Sequence, residues 1–161
     1  MPILTTNTGL EILRFVPSDS PHVPEEDHHV PLTWSIVIAR YDEGYVFAYN
    51  HNRRQWELPG GGIERGETPA EAAQRELQEE ACQIADWVVC KGVFKLRLRP
   101  EKGGTLEYGA MYYTELDTLH SFTPNSETSD LTICNPAQDT KRISTPFSRW
   151  MIRMACQHSR Q

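Results

Sequence analysis

The chain of 161 residues lacks the features of a membrane protein or a secreted protein. Its longest uninterrupted apolar run is 45–49, whereas a membrane-spanning helix needs about 20 apolar residues. The N-terminal residues lack the charged and apolar regions of a secretory signal peptide. We therefore expect a cytoplasmic protein that has no membrane partner.

Paired cysteines and an excess of basic charge are also missing. Four cysteines without close paired spacing argue against a disulfide framework or a zinc site. Sixteen Lys and Arg stand against 22 Asp and Glu, which gives a net charge of −6 and a pI near 5.5. This balance argues against a broad basic surface for an extended nucleic acid. A small-molecule substrate is the better expectation.

The order of predicted elements indicates an α/β (α+β) fold with one domain over residues 1–161. We expect strands at 3–16, 84–90, 93–99 and 105–115, a hairpin of 33–40 and 44–49, and irregular structure at 120–144. Thr145 and Pro146 predict the start of a final helix, in which apolar residues recur at helical spacing. These are Phe147, Trp150, Met151 and Met154.

A central helix is predicted at 69–81 by a capping box. Thr68 is the N-cap, Pro69 takes the first helical position and Glu71 the third. A face of small and apolar residues then recurs at helical spacing and is expected to pack on the sheet. Its members are Ala70, Ala73, Leu77 and Ala81.

Acidic charge is concentrated in and just before this helix, since residues 57–80 hold seven glutamates and two arginines. Glu76, Glu79 and Glu80 are i, i+3 and i+4 neighbours, within an arc of about 100°. Two carboxylates about 6 Å apart repel by about 3 kcal/mol at an effective dielectric near 20. A solvated acidic face is one interpretation. A divalent cation is the other, and hard oxygen donors favour Mg²⁺ or Mn²⁺ over Zn²⁺.

The spacing around this helix resembles the Nudix box, G-x5-E-x7-R-E-U-x-E-E-x-G-U, in which U is a bulky aliphatic residue. The match runs over residues 61–83, from Gly61 through Glu67 to R-E-L-Q-E-E at 75–80, and W-E-L-P-G at 56–60 resembles the usual lead-in. Two positions depart from the pattern: Cys82 replaces the final glycine and Gln83 the final aliphatic residue. Because the glycine position is a helix C-cap, the departure bears on stability rather than on the acidic residues.

The resemblance implies a Nudix-type α/β/α sandwich with a mixed central sheet. It implies that Glu76, Glu79, Glu80 and the carbonyl of Gly61 bind Mg²⁺ or Mn²⁺. By the same resemblance Arg75 orients a catalytic glutamate and Glu67 braces the loop. The general base is either Glu76 or an acid from a later loop, for which Glu127 is the candidate.

Family resemblance also implies hydrolysis of a nucleoside diphosphate linked to another group. A MutT-like nucleoside triphosphate pyrophosphohydrolase is the leading hypothesis, and dinucleoside polyphosphates, ADP-ribose and nucleotide sugars are alternatives. A non-catalytic, nucleotide-binding regulatory module is the rival from another class. Arg53 and Arg54 precede Trp56 and are placed to face the cleft; we take Arg54, together with Arg97 from a basic strand face, as substrate-binding candidates. For the oligomeric state, a homodimer is one hypothesis.

Overall fold

The computed structural model describes residues 1–157. Within them the chain forms nine strands and two helices, with three single-turn 3₁₀ segments. In chain order the elements are β1 Leu4–Thr5, β2 Glu11–Pro17, β3 Leu32–Tyr41, β4 Gly44–Asn50, β5 Gln55–Glu57, β6 Gly60–Gly62, α1 Pro69–Ala81, β7 Val89–Arg97, β8 Leu106–Glu115, β9 Thr128–Cys134 and α2 Pro146–Gln157. None of the helices in this part of the chain is long and apolar enough to span a membrane.

The nine strands form one sheet, which is mixed, as predicted. The main path runs β1-β2-β7-β8-β3-β4-β5, while β6 pairs with β3 and β9 pairs with β4. Strands β3 and β8 are parallel, and the other pairs within residues 1–157 are antiparallel. The sheet with its two helices is the α+β arrangement that the sequence predicts.

Each helix covers one face of the sheet, because side chains alternate along the central strand β3. Ile36 and Ile38 pack in the cluster that contains Trp150 and Met151 of α2. The intervening Val37 and Ala39 pack in a second cluster, which contains Ala73, Leu77 and Ala81 of α1, all fully buried. The apolar faces predicted for the two helices are therefore the buried ones.

Three predicted segments differ from the structure. Residues 3–16 form two short paired strands, β1 and β2, joined by a turn. The predicted strands at 84–90 and 93–99 are wrong in their bounds, since a single strand, Val89–Arg97, replaces them. The interval 120–144 is not wholly irregular, because it contains β9 on the edge of β4.

A buried polar network attaches the loop before β3 to the sheet. Asp27 accepts hydrogen bonds from the hydroxyl of Tyr108 (2.5 Å) and from the Lys95 ammonium (3.1 Å). The Tyr108 hydrogen bond and the nearby Lys95 charge lower the pKa of Asp27. A carboxyl whose pKa is lowered in the folded state stabilises the fold at pH values above its unfolded-state pKa. That contribution is lost as the pH falls through the folded-state pKa.

We expect Tyr108→Phe to lower the free energy of unfolding by about 1–2 kcal/mol, because Asp27 loses a buried hydrogen bond. The same change raises the pKa of Asp27 towards its unfolded-state value, so stability should fall less steeply with acid than in the wild type. Urea unfolding between pH 3 and 7 measures both effects. Unchanged stability across that range would show that the network does not hold the loop.

Candidate active site

The site forms where the central sheet divides. Strands β3 and β4 pair only at their hairpin end, through Arg40–Tyr45 and Tyr41–Gly44. Away from the turn β3 pairs with β6 instead, and the backbone N–H of Val37 donates to the Pro59 carbonyl (3.0 Å). The glycine-rich β6 therefore lies beside β3, and α1 contacts both strands.

Local hydrogen bonds fix the start of α1 against this sheet. The predicted capping box is confirmed: the Thr68 hydroxyl accepts from the Glu71 N–H (3.1 Å), and the Glu71 carboxylate accepts from the Thr68 N–H (3.2 Å). The Ser35 hydroxyl of β3 donates to the Pro69 carbonyl (2.8 Å). These contacts set which face of α1 is turned towards β6.

Two glutamates of α1 are buried on that face. Glu80 is 3% exposed, and its Oε1 accepts from the N–H of Gly60 (2.8 Å). Burial raises the pKa of Glu80 to about 9, and the charges of Glu76 and Glu127 add to the effect. Burial also raises the pKa of Glu76. The site thus crowds carboxyl groups in a place where their charged forms are poorly solvated.

With Glu76 in its observed position, Gly61 has no room for a side chain. A Cβ built on Gly61 would collide with the carboxylate of Glu76. The backbone of β6 therefore approaches that carboxylate more closely than any other residue type would allow. This contact is a physical reason for glycine at the first position of the box.

Arg75 connects the box residues to one another. Its guanidinium donates twice to Glu67 (2.7 and 3.0 Å) and once each to Glu76 (2.9 Å) and Glu79 (3.1 Å). A further bond reaches the Gly62 carbonyl (2.9 Å). Glu67 also accepts from the N–H of Glu64 (3.0 Å), so it closes the loop before the helix. The orienting role of Arg75 and the bracing role of Glu67, which the resemblance implies, stay predictions.

Glu127 reaches the site through a loop that caps the end of α1. The side chain of Asn125 donates to the Glu79 carbonyl (2.8 Å), and the Thr128 hydroxyl donates to the Glu80 carbonyl (2.8 Å). Such bonds satisfy carbonyls that a helix end leaves without partners. Glu127 lies between these two residues, and its carboxylate is 3.5 Å from the side-chain nitrogen of Asn50.

The two departures from the box pattern shape the exit from α1. Cys82 is the C-cap in the left-handed region (φ 58°), as predicted for that position. The fully buried side chain of Gln83 donates to the carbonyls of Ala81 and His120 (2.9 Å each) and accepts from the His120 N–H (2.8 Å). Gln83 therefore holds the distant segment at His120 where the aliphatic residue of the pattern would only fill space.

We expect Cys82→Gly to raise the free energy of unfolding by about 0.5–1 kcal/mol, because glycine adopts positive φ without strain. Cys82→Ala is the matched control. Alanine keeps the strain but loses the contact of the Cys82 thiol with the Thr123 carbonyl (3.6 Å), so it should be no more stable than the wild type. Thermal unfolding of the three proteins measures the effect. A Cys82→Ala protein as stable as Cys82→Gly would contradict the explanation by backbone strain.

An open cleft of about 880 Å³ adjoins these residues. Its lining combines acidic, basic and aromatic side chains. The acidic ones include Glu57, Glu64, Glu76, Glu79 and Glu127, the basic ones are Arg53, Arg75, Arg99 and Lys102, and the aromatic ones are Trp34, Trp56 and Phe147. Such a lining suits a ligand that has both a phosphate chain and a flat ring.

The two arginines predicted to bind substrate do not line this cleft. Arg54 is exposed beside it, and Arg97 pairs with Glu11 (3.2 Å). Their neighbours Arg53 and Arg99 line the cleft instead. Glu57 was missed as a site residue, although it lies in the W-E-L-P-G segment and contributes to the local excess of glutamate.

The donor chemistry of the site fits a hard divalent cation. Carboxylates of Glu76, Glu79 and Glu80 and the Gly61 carbonyl offer oxygen ligands. Within residues 1–157 no three acidic, His or Cys side chains already converge as a metal cluster. Instead, the Arg75 guanidinium donates to Glu76 and Glu79, and the Gly60 N–H donates to Glu80. The glutamate side chains must therefore leave these hydrogen bonds and rotate before one ion can contact all three carboxylates.

The family match defines the class as Nudix hydrolases, which act on phosphoanhydrides. The chain belongs to the Nudix family: the family model described as NUDIX domain matches residues 29–151, and this region contains the whole box. Enzymes of this family generally use divalent metal ions.

Two curated relatives are RNA pyrophosphohydrolases. The protein from Erythrobacter litoralis is 32% identical over an alignment of 137 residues, and the match covers 73% of this chain and 83% of that protein. The protein from Aeromonas hydrophila is 42% identical over 45 residues, 28% of this chain and 26% of that protein. The chain thus spans most of the first relative but matches only about a quarter of the second.

Solved structures share the fold at low sequence identity. A mutant of the Bacillus subtilis pyrophosphohydrolase BsRppH matches with a TM-score of 0.72 and 17% identity, over 96% of this chain and 93% of that one. The NUDIX domain of Shewanella oneidensis NrtR, solved as a complex with ADP ribose, matches with a TM-score of 0.64 and 14% identity over 84% and 92%. At identities this low the structural likeness shows the fold alone, and it confirms the predicted Nudix-type fold.

Proposed function

We propose that the chain is a Mg²⁺-dependent pyrophosphohydrolase that cleaves the 5′-triphosphate of a nucleotide in the cytoplasm. The observation that carries the proposal is the placement of buried Glu76 and Glu80 against the glycine strand β6, beside an open cleft. Glu76 is paired with Arg75 (2.9 Å), whereas in residues 1–157 the Glu80 carboxylate has the Gly60 N–H as its partner and no ion pair, and a buried carboxylate without a cationic partner is costly. A cation shared with substrate phosphates removes that cost and makes the arrangement useful.

The residues of the site have distinct proposed roles. Glu76, Glu79, Glu80 and the Gly61 carbonyl hold the cation, which when bound neutralises phosphate charge and lowers the pKa of an attacking water. Arg75 keeps Glu76 in place through their 2.9 Å hydrogen bond. Glu127 is the proposed general base, because its carboxylate lines the cleft and is 48% exposed. Glu76 is the alternative base, yet Arg75 already occupies its Oε1.

Two substrates could supply the triphosphate: a free nucleotide and the 5′ end of an RNA. The small size of the chain and its single box favour the free nucleotide. The activity named for the Erythrobacter litoralis relative favours the RNA end. Arg99 and Lys102 on the cleft would suit a second nucleotide's phosphate, so the RNA end is the first substrate to test.

The test is a phosphate- and diphosphate-release assay with purified protein and Mg²⁺. The panel contains a 5′-triphosphorylated RNA oligonucleotide, free nucleoside triphosphates, ADP-ribose, a dinucleoside tetraphosphate and a nucleotide sugar. We expect release from a triphosphate, loss of it with a chelator, and recovery when Mg²⁺ is returned. Tight nucleotide binding with no turnover on any member would overturn the proposal and favour a regulatory module.

A further inference from the structure

Arg53, an arginine outside the Nudix box, lines the same cleft as Arg75. The guanidinium of Arg53 donates to both carboxylate oxygens of Glu57, from Nε (2.9 Å) and Nη2 (2.8 Å). Glu57 is in turn fixed by the side-chain amide of Gln55 (2.6 Å). A bidentate pair of this kind sets the orientation of the guanidinium plane as well as its position.

The turn that carries Arg53 is itself fixed from inside the protein. Asn50 is 1% exposed, and its Oδ1 accepts from the N–H groups of both Asn52 (3.0 Å) and Arg53 (2.9 Å). Arg54 then takes a positive φ of 55°, which turns the chain back into β5. Backbone and side chain of Arg53 are therefore both positioned before any ligand arrives.

Most of the donor capacity of Arg53 is unused. A guanidinium carries five N–H donors, and the Glu57 pair occupies two of them. Nη2 is 3.9 Å from Glu127, beyond hydrogen-bond distance, and Nη1 has no hydrogen-bond partner in the described part of the chain. The side chain is 57% exposed and lines the cleft. An oriented cation with free donors in a cleft is a ready ligand for a phosphate.

We propose that Arg53, oriented by Glu57, binds a phosphate group of the substrate. The inference deepens the proposed function and rests on it for the chemical nature of the ligand. Glu57 is then a positioning residue, since it acts through Arg53. The alternative is that Arg53 serves as an internal counter-ion for Glu57 and Glu127. That role predicts that Arg53→Ala lowers Mn²⁺ affinity.

Equilibrium binding tests the proposal without relying on turnover. The full chain is titrated calorimetrically with inorganic tripolyphosphate in the presence of Mg²⁺, and separately with Mn²⁺ alone. Arg53→Ala should weaken tripolyphosphate binding by about 10-fold or more, because charge-assisted hydrogen bonds are lost. Arg53→Lys should restore part of the affinity, since it returns the charge without the planar fork. Arg153→Ala, an exposed arginine on α2, is the matched control.

The variants separate the two roles of Arg53. Under the proposal Mn²⁺ affinity does not fall in Arg53→Ala, which also shows that the site is folded. Glu57→Gln should weaken tripolyphosphate binding when Arg53 is present. In the Arg53→Ala background it should cause no further loss of tripolyphosphate affinity. Unchanged tripolyphosphate affinity in Arg53→Ala would overturn the proposal, and so would a loss of Mn²⁺ affinity in Glu57→Gln, which would make Glu57 a metal ligand.

The binding experiment can fail or succeed independently of the proposed function. A wild-type protein that releases no diphosphate from any nucleotide, yet binds tripolyphosphate through Arg53, would support this inference and overturn the activity. A protein that hydrolyses a triphosphate equally well without Arg53, with unchanged tripolyphosphate affinity, would do the reverse.

Discussion

Replacing Glu80 by glutamine should lower turnover by about 10³-fold or more while the fold is retained. A loss of that size corresponds to about 4 kcal/mol of transition-state stabilisation, which is within the range of a lost metal contribution. Glutamine keeps the shape of the side chain, and its amide oxygen can still accept from the Gly60 N–H as Glu80 does. Only the anionic oxygen proposed for the cation is removed.

The same substitution should make the metal-free protein more stable. Glu80 is buried next to Glu76 and near Glu127, and an uncharged amide ends the cost of burying a carboxylate there. We expect a gain of at least about 1 kcal/mol, or about 2–4 °C in Tm for a chain of this length. Added Mg²⁺ should then stabilise the variant less than it stabilises the wild type.

Turnover is measured with the best substrate of the panel, and Tm is measured in chelator and in Mg²⁺. Glu43→Gln, which neutralises an exposed acid in the β3–β4 turn, serves as the matched control and should change neither quantity. Near-normal turnover in Glu80→Gln would remove Glu80 from the proposed ligands. A lower Tm in chelator would show that the buried carboxylate has a stabilising partner.

The parts of the fold that could be predicted are those encoded by neighbouring residues. Helix α1 has the predicted bounds because a capping box starts it and a left-handed C-cap at Cys82 ends it. The β3–β4 hairpin follows from β-branched strands around a short turn. Within the box, spacing alone brought Arg75, Glu76 and Glu79 together, since residues one turn apart on a helix are neighbours.

Contacts between distant segments decided the rest. Ile84 and its neighbours have strand-like composition, yet residues 83–88 do not form a strand, because Gln83 is committed to the backbone at His120. Strand β9 has a polar start and exists because it pairs with the edge of β4. Its first residue, Thr128, also caps α1 and so brings Glu127 to the cleft. No local pattern encodes those pairings.

The choice between Arg53 and Arg54 shows the same limit at the scale of one residue. Both precede Trp56, and composition does not distinguish them. The turn does, because Asn50 binds the N–H of Arg53 and Arg54 takes a positive φ. The side chains of two adjacent arginines are thereby directed differently, one along the cleft and one beside it.

Replacing Arg75 by glutamine should lower the free energy of unfolding by about 3 kcal/mol and turnover by about 10–100-fold. The stability loss follows because Glu67 and Glu76 are both mostly buried, and removal of one partner of a buried ion pair leaves an uncompensated charge. A loss of this size lowers Tm by about 6–12 °C in a chain of this length. The turnover loss is that expected for a residue that orients a metal ligand.

A pH series and two further variants identify the cause. The Arg75 guanidinium holds the pKa of Glu67 below its usual range, so Glu67 stabilises the fold above its unfolded pKa and loses that contribution in acid. Arg75→Gln should therefore flatten the stability curve between pH 5 and 3. Adding Glu67→Gln to Arg75→Gln should cost little more or restore stability, because the pair acts as a unit. Arg65→Gln, an exposed arginine before the helix, should have no effect, and an equal effect there would mean that loss of charge rather than loss of the buried pair explains the result.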